Sequence, residues 1–191
     1  TFYLAVTFTR DDAIDGGAGN DTVVLAGMGD DAISFTATTM TGVETLVLGA
    51  GHFYTMTTSD ATVAAGATLT IDATALGSGD PFIFNGSHES DGDFVFKFDG
   101  GFTAADTITG GAGSDTLSFD GAYASLALSS TKIANIESLV FTGTHAYTGV
   151  TVTGDIAGGS TLSIDASTAN SLSIVLSAAT SAAYAITGSG G

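Results

Sequence analysis

Cysteine is absent from the sequence, which removes disulfides and thiolate metal sites and leaves the question of export open. Tryptophan is absent too, proline occurs once, and lysine and arginine together number 3 against 20 acidic residues. A formal net charge of -17 offers no basic patch to displace counterions from phosphates, so nucleic acid and anionic membranes are excluded as partners. The natural counter-charge for such a chain is a cation. No run approaches the roughly 20 apolar residues that a membrane helix needs. An initiator methionine and a signal peptide are also missing, so the chain reads as a fragment or a processed product.

What is present is 44% hydrophobic residues over 191 positions, enough to bury a core. Much of that set is alanine and β-branched residues with 12 Phe and 5 Tyr, which suits thin stacked layers. The charged residues, only 12% of the chain, are set in a background of Thr, Ser and Gly.

The chain repeats itself. "DDAIDGGAGNDTVVL" from Asp11 matches "ADTITGGAGSDTLSF" from Ala105, with Gly16 and Gly110 offset by 94 positions. "GVETLVL" matches "NIESLVF", pairing Glu44 with Glu137 at an offset of 93. "AGHFYT" and "GTHAYT" pair His52 with His145 and Tyr54 with Tyr147, and "ATLTIDAT" and "STLSIDAS" pair Asp72 with Asp165. Landmarks in one order at nearly one offset mark a duplication, with a first unit over 1–94 and a second over 95–191. Because the N-terminal segment aligns with "VFKFDGGFTAADTI" from Val95, the chain starts part-way through a unit, as a piece of a longer tandem array would.

Period-two segments such as "TLVL", "TLTI", "DFVFKF", "TLSI" and "SLSIVL" predict short strands separated by Gly, Ser, Thr and Asp. Helix signals are sparse: "TTMTGVET" and "SSTKIANIES" each have room for one turn. The expectation is an all-β fold, a parallel β-roll or β-solenoid built from tandem repeats with short irregular strands.

The glycine segments carry the chemistry. "GGAGNDTVV" supplies Gly16, Gly17, Gly19 and Asp21, and "GGAGSDTLS" supplies Gly110, Gly111, Gly113 and Asp115. "AGMGDDAIS" keeps Gly27, Gly29 and Asp31, while Asp12 and Asp106 end two degraded copies. Glycines let a backbone turn tightly enough to aim several carbonyl oxygens at one point, and an aspartate adds a carboxylate. That donor set suits calcium, a hard cation taking 6 to 8 oxygens.

These segments resemble the calcium-binding nonapeptide G-G-x-G-x-D-x-U-x of the RTX (repeats-in-toxin) family, and the larger unit looks like segments of bacterial S-layer and giant RTX surface proteins. The resemblance implies a β-roll in which carbonyls and Asp side chains of stacked turns share calcium ions. Carried over, it makes Asp12, Asp21, Asp31, Asp106 and Asp115 carboxylate ligands, with carbonyls from Gly16, Gly17, Gly19, Gly27, Gly29, Gly110, Gly111 and Gly113. Leu25 interrupts the nine-residue beat. For "SHESDGDF", with Glu89, Asp91 and Asp93, a calcium loop and a solvated acidic turn both remain open.

Other recurring residues favour quieter roles. Glu44 and Glu137 suit an exposed strand face better than an ion site, and His52 and His145 suit structural hydrogen bonds better than zinc. With no H-E-x-x-H, G-x-S-x-G, P-loop or cysteine nucleophile, the segment is not expected to be an enzyme.

The resulting expectation is a calcium-folded structural repeat protein, secreted to the extracellular space or cell surface by the type I route that RTX resemblance implies. It would self-associate into an S-layer, filament or matrix. A calcium-dependent secretion or stability module of a larger secreted RTX enzyme, toxin or adhesin is the alternative. An adhesin binding glycans or ice through regular outward threonine ladders is a third reading.

Overall fold

The computed structural model describes residues 1–4, 8–26, 32–177 and 183–188. Nine parallel strands form one long sheet, in chain order Phe2–Leu4, Thr22–Leu25, Thr45–Leu48, Thr68–Asp72, Asp93–Phe98, Thr116–Asp120, Ser138–Thr142, Leu162–Ala166 and Tyr184–Gly188. Every neighbour in this sheet is the next pass of the chain, which is the connectivity of a parallel β-solenoid.

The register explains why these segments stack. Phe2, Val23, Leu46, Ile71, Phe96, Leu117, Leu139, Ile164 and Ile186 lie directly above one another. Successive members are 21 to 25 positions apart, so each rung has its own loop length. From Val23 to Ile164 the file is buried, and a slip of one residue would turn these apolar side chains to solvent. Leu25, the residue that breaks the nine-residue beat, is fully buried in a second inward file with Leu48, Phe98, Phe119 and Phe141. It is a core residue of its rung.

The duplication is a four-rung period, since Phe2 and Phe96 are four strands and 94 positions apart in the long sheet. The second wall repeats likewise. Ala32–Ser34, Tyr54–Thr57 and Phe82–Asn85 pair in a five-stranded sheet completed by Thr107–Thr109 and Ile133–Ala134. Leu126–Ser129, Ala146–Thr153 and Ser171–Ser177 form the counterpart sheet in the second unit. The long sheet runs without interruption across positions 94 and 95, both inside the strand Asp93–Phe98.

The core lies between the walls. Phe84 from the second wall meets Phe94 and Phe96 of the long sheet edge-on at centroid separations of 5.0 and 4.9 Å, a geometry aromatic rings favour. The hydroxyl of Tyr54 lies 3.0 Å from the carbonyl oxygens of both Leu25 and Gly49. Tyr147, its duplicate, sits 2.8 Å from that of Phe119 and 2.6 Å from that of Thr142. No helix forms among the described residues. The segments with room for a helical turn instead make a tight turn leading into the short strands Met40–Thr41 and Ile133–Ala134.

Candidate functional site

Each intact nonapeptide is the corner between a short strand and a strand of the long sheet. Gly16 and Gly110 open the corner, their N–H groups donating to Thr41 O and Ala134 O, each at 2.9 Å. Neither glycine needs a left-handed backbone; both are required by close approach. A Cβ on Gly16 would be driven into the carbonyl oxygen of Gly42, and one on Gly110 into that of Asn135. Those two residues, 93 positions apart, are themselves left-handed, at φ +58° and +52°. Asparagine is among the few side chains that tolerate this region.

Above each corner sits a different kind of turn, Gly42–Glu44 or Asn135–Glu137, and beneath the second lies Glu89–Asp93. The two intact nonapeptides are four rungs apart and do not stack on each other. Asp21 N–H donates to Glu44 Oε2 at 2.6 Å, while Asp21 O accepts from Glu44 N and Thr45 N at 3.1 and 3.0 Å. The same clasp recurs where Asp115 N–H donates to Glu137 Oε2 at 2.8 Å and Asp115 O accepts from Glu137 N and Ser138 N at 3.0 and 3.1 Å. Glu44 and Glu137 therefore do more than decorate a strand face: each reaches down one rung to satisfy an N–H that the ladder leaves open.

The aspartates use the same device. Asp115, fully buried, accepts from Phe94 N at 2.7 Å with Oδ1 and from Gly111 N at 2.8 Å with Oδ2. Asp106, also buried, accepts from Phe82 N at 2.7 Å and from Thr103 N at 2.5 Å. Asp12 repeats the second of these, taking Thr9 N at 2.8 Å, but lies exposed. Asp93 Oδ1 accepts from Ser114 N at 2.7 Å in the rung above. Gly113 abuts Gly92 O and Asp93. Gly27, Gly29 and Asp31 lie outside the described residues.

Asp93, Asp115 and Glu137 thus follow one another up three rungs. Burial pushes the Asp115 carboxyl up to about 7, against the pull of the Phe94 and Gly111 amides and with help from Glu137 and Asp93. Burial raises Glu137 as well, with Asp93 adding to it. Ion pairs among the described residues join the N-terminus to Asp21, Arg10 to Asp11 and His145 to Asp120. Among the described residues no lysine or arginine lies within ion-pair distance of Asp93, Asp115 or Glu137. A cleft of about 220 Å³ opens beside Glu137, lined also by Gly111, Ala112, Gly113, Asn135 and Gly158 among others.

A second acidic group joins Asp91 to Glu89 and Asp60, with a carboxylate oxygen of each within 4.8 Å of the others. Glu89 is buried and accepts from Val63, Ser90 and Gly92 N–H groups at 3.3, 3.2 and 3.2 Å. Asp60 Oδ1 takes Ser90 N at 3.1 Å and its hydroxyl at 2.5 Å. Burial, as the largest cause, raises the Glu89 carboxyl. Asp60 was not legible as a member, because only the stacking of rungs brings it beside Glu89 and Asp91.

Asp72 and Asp165, the other duplicated acids, accept Thr74 N at 3.1 Å and Ser167 N at 2.8 Å, closing local turns. His145 Nε2 lies 3.4 Å from Asp120 Oδ1, and His52 packs edge-on against Tyr54.

Fold and corners together define a parallel β-solenoid whose rungs are bracketed by carboxylates. Comparison with protein-family models, with curated proteins and with solved structures finds no match.

Proposed function

We propose that this chain is a calcium-binding structural repeat segment of an extracellular assembly, related to RTX surface proteins, and folded and held together by calcium. The observation that carries this reading is the file Asp93, Asp115 and Glu137. These are carboxylates in successive rungs, with no basic partner among the described residues, and the last of them, Glu137, lines a cleft with Gly111, Gly113 and Gly158. Divalent charge entering such a file would relieve like-charge repulsion and tie neighbouring rungs, so that binding energy becomes folding energy. The nonapeptide match at Gly16–Val24 and Gly110–Ser118 supports calcium as the ion. Secretion where calcium is scarce and folding where it is plentiful follow from the same linkage.

The test is electron microscopy of the purified chain with calcium and after chelation, with circular dichroism on the same samples. Filaments or sheets that dissolve and lose β-signal on chelation are expected. Monomers that fold with calcium without associating would instead favour a secretion or stability module, and a fold indifferent to calcium would sink the reading.

A second reading, adhesion, gains one observation. Thr22, Thr45, Thr70, Val95, Thr116, Ser138 and Ser163 form one outward file on the long sheet, a regular hydroxyl-rich ladder of the kind a flat glycan or ice surface would meet. Binding of the chain to ice or insoluble polysaccharide, lost when Thr45 and Thr116 are replaced by lysine, would favour it.

A further inference from the structure

The outer face of the long sheet is nearly uncharged. Its two central files of outward side chains carry charge only at Asp72, Lys97 and Asp165, all in one file, whereas the whole chain carries -17. Apart from Tyr3, the other positions of both files are threonine, serine, valine and alanine. Two such chains repel wherever their acidic corners meet, and this face lets them approach without opposing acids. It is also continuous over nine strands, while the second wall is divided among smaller sheets.

Lys97 stands exposed near the middle of this face, in the strand Asp93–Phe98. Its neighbours in the file are Asp72 in the rung beneath and Ser118 in the rung above. Asp72 commits Oδ1 to its own turn, accepting from Thr74 N at 3.1 Å and from the Thr74 hydroxyl at 2.6 Å. Among the described residues no carboxylate lies within ion-pair distance of Lys97, although the sequence holds 20 acidic residues. The ammonium is thus left for a second molecule, and its complement, an aspartate of the same file, is on the same face of every copy.

We propose that this face is an interface between two copies of the chain, packed face to face about a two-fold axis that runs along the strands, between Thr68–Asp72 and Asp93–Phe98. The proposal deepens the assembly reading above and rests on its self-association. Such an axis lays each file against itself with the order of rungs reversed. Lys97 then meets Asp72 of the second copy, and by symmetry the pair forms twice. In the same register Val24 meets Val140 and Thr45 meets Thr116, so that apolar faces apolar and hydroxyl faces hydroxyl. The other register that offers Lys97 an aspartate, Asp165, sets Val140 against Ser118 instead. Eight of the nine strands overlap, and with about 4.8 Å per strand and about four residues of strand width the footprint is about 500 Å² on each copy. A standard stable complex buries roughly 800 Å² per partner, so this pair is weak and reversible.

Sedimentation of the full chain over a range of concentrations tests this, in calcium and at physiological ionic strength, where repulsion between corners is screened beyond about 8 Å. A concentration-dependent pair is expected. Lys97→Glu should weaken it roughly tenfold or more, since two attractive contacts become repulsive, and the swap of Lys97→Asp with Asp72→Lys should restore it. Circular dichroism checks that each variant folds. Because the chain has no cysteine, a second measurement serves if the swap disturbs the Thr74 turn: Val24→Cys and Val140→Cys chains, one of them isotope-labelled, are mixed with a short bismaleimide. The mixed product should exceed both like-with-like products. A pair that survives Lys97→Glu and shows no preference for the mixed product overturns the interface. Calcium-dependent filaments indifferent to Lys97→Glu overturn it too and leave the assembly reading standing, whereas a pair abolished by Lys97→Glu in a chain that never forms filaments supports the interface and removes that reading. A folded chain that stays monomeric at every concentration overturns the interface, and its binding to ice or insoluble polysaccharide would assign the face to adhesion.

Discussion

Asp115 and Glu137 hold each other across two rungs, the N–H of Asp115 donating to Glu137 Oε2 at 2.8 Å while Asp115 O accepts the Glu137 N–H at 3.0 Å. Asp21 and Glu44 repeat the arrangement four rungs away. Truncating Glu137 would orphan the N–H of Asp115, a fully buried residue. Glu137→Ala is therefore expected to lower stability by about 1–3 kcal/mol, and Glu137→Gln by less because its amide oxygen still accepts. Urea unfolding of both variants measures the difference.

The glycines separate by cause. Gly16→Ala and Gly110→Ala force a methyl into a carbonyl of the next rung and should be severely destabilising, above about 2 kcal/mol each, because backbone rather than a flexible side chain must give way. Gly17→Ala meets open space but carries positive φ, so a loss of about 1 kcal/mol is expected. Gly79→Ala, with neither constraint, should be close to neutral. Thermal melts of the four variants would rank them.

Asn135 stands where its duplicate Gly42 stands, with the same sign of φ. Asn135→Gly should fold with stability within about 0.5 kcal/mol of the parent, whereas Asn135→Val should cost roughly 1–2 kcal/mol. Equal losses for both would mean that the side chain, rather than the backbone conformation, matters there.

Stability should fall as pH rises. Burial raises the Asp115 carboxyl to about 7 and pushes Glu137 and Glu89 upward as well, so these groups bind protons more tightly folded than unfolded. Between the ordinary carboxylate value near 4 and about 7 the unfolded chain holds fewer protons, and the folded state loses ground with each step up. Asp80 and Asp165, held low chiefly by backbone N–H groups, act oppositely, and only below the ordinary carboxylate value. Calcium-free melting temperatures from pH 4.5 to 8 should decline, and Asp115→Asn should flatten the slope. A profile that rises over this interval would contradict the burial of these acids.

Much of this architecture was legible because strand periodicity and duplication are local and repeated. The inward residues of "TLVL", "TLSF" and "SLVF" read directly as a core file, and the paired landmarks implied stacking. Rung length was less accessible. Spacings of 21 to 25 residues look irregular along the chain, yet they bring Thr22, Thr45, Thr70 and Thr116 into one file once loops of unequal length absorb the difference. The roles of Glu44 and Glu137 were hidden for a related reason. Their partners Asp21 and Asp115 are 23 and 22 positions distant, and nothing in a single strand announces which face a carboxylate will turn to when an N–H in the next rung is unpaired. The same holds for Asp60 beside Glu89.

Unequal rungs of 21 to 25 residues also set how the chain would respond to force. Each rung advances the axis by one strand spacing of about 4.8 Å, while its residues drawn taut span about 70–85 Å. Because a rung touches only its neighbours, tension on one end would peel turns away singly, and every turn released would lengthen the tether more than tenfold over the axial distance it had occupied. Such a solenoid is a reel of stored contour length, able to yield under load while the turns behind it remain wound.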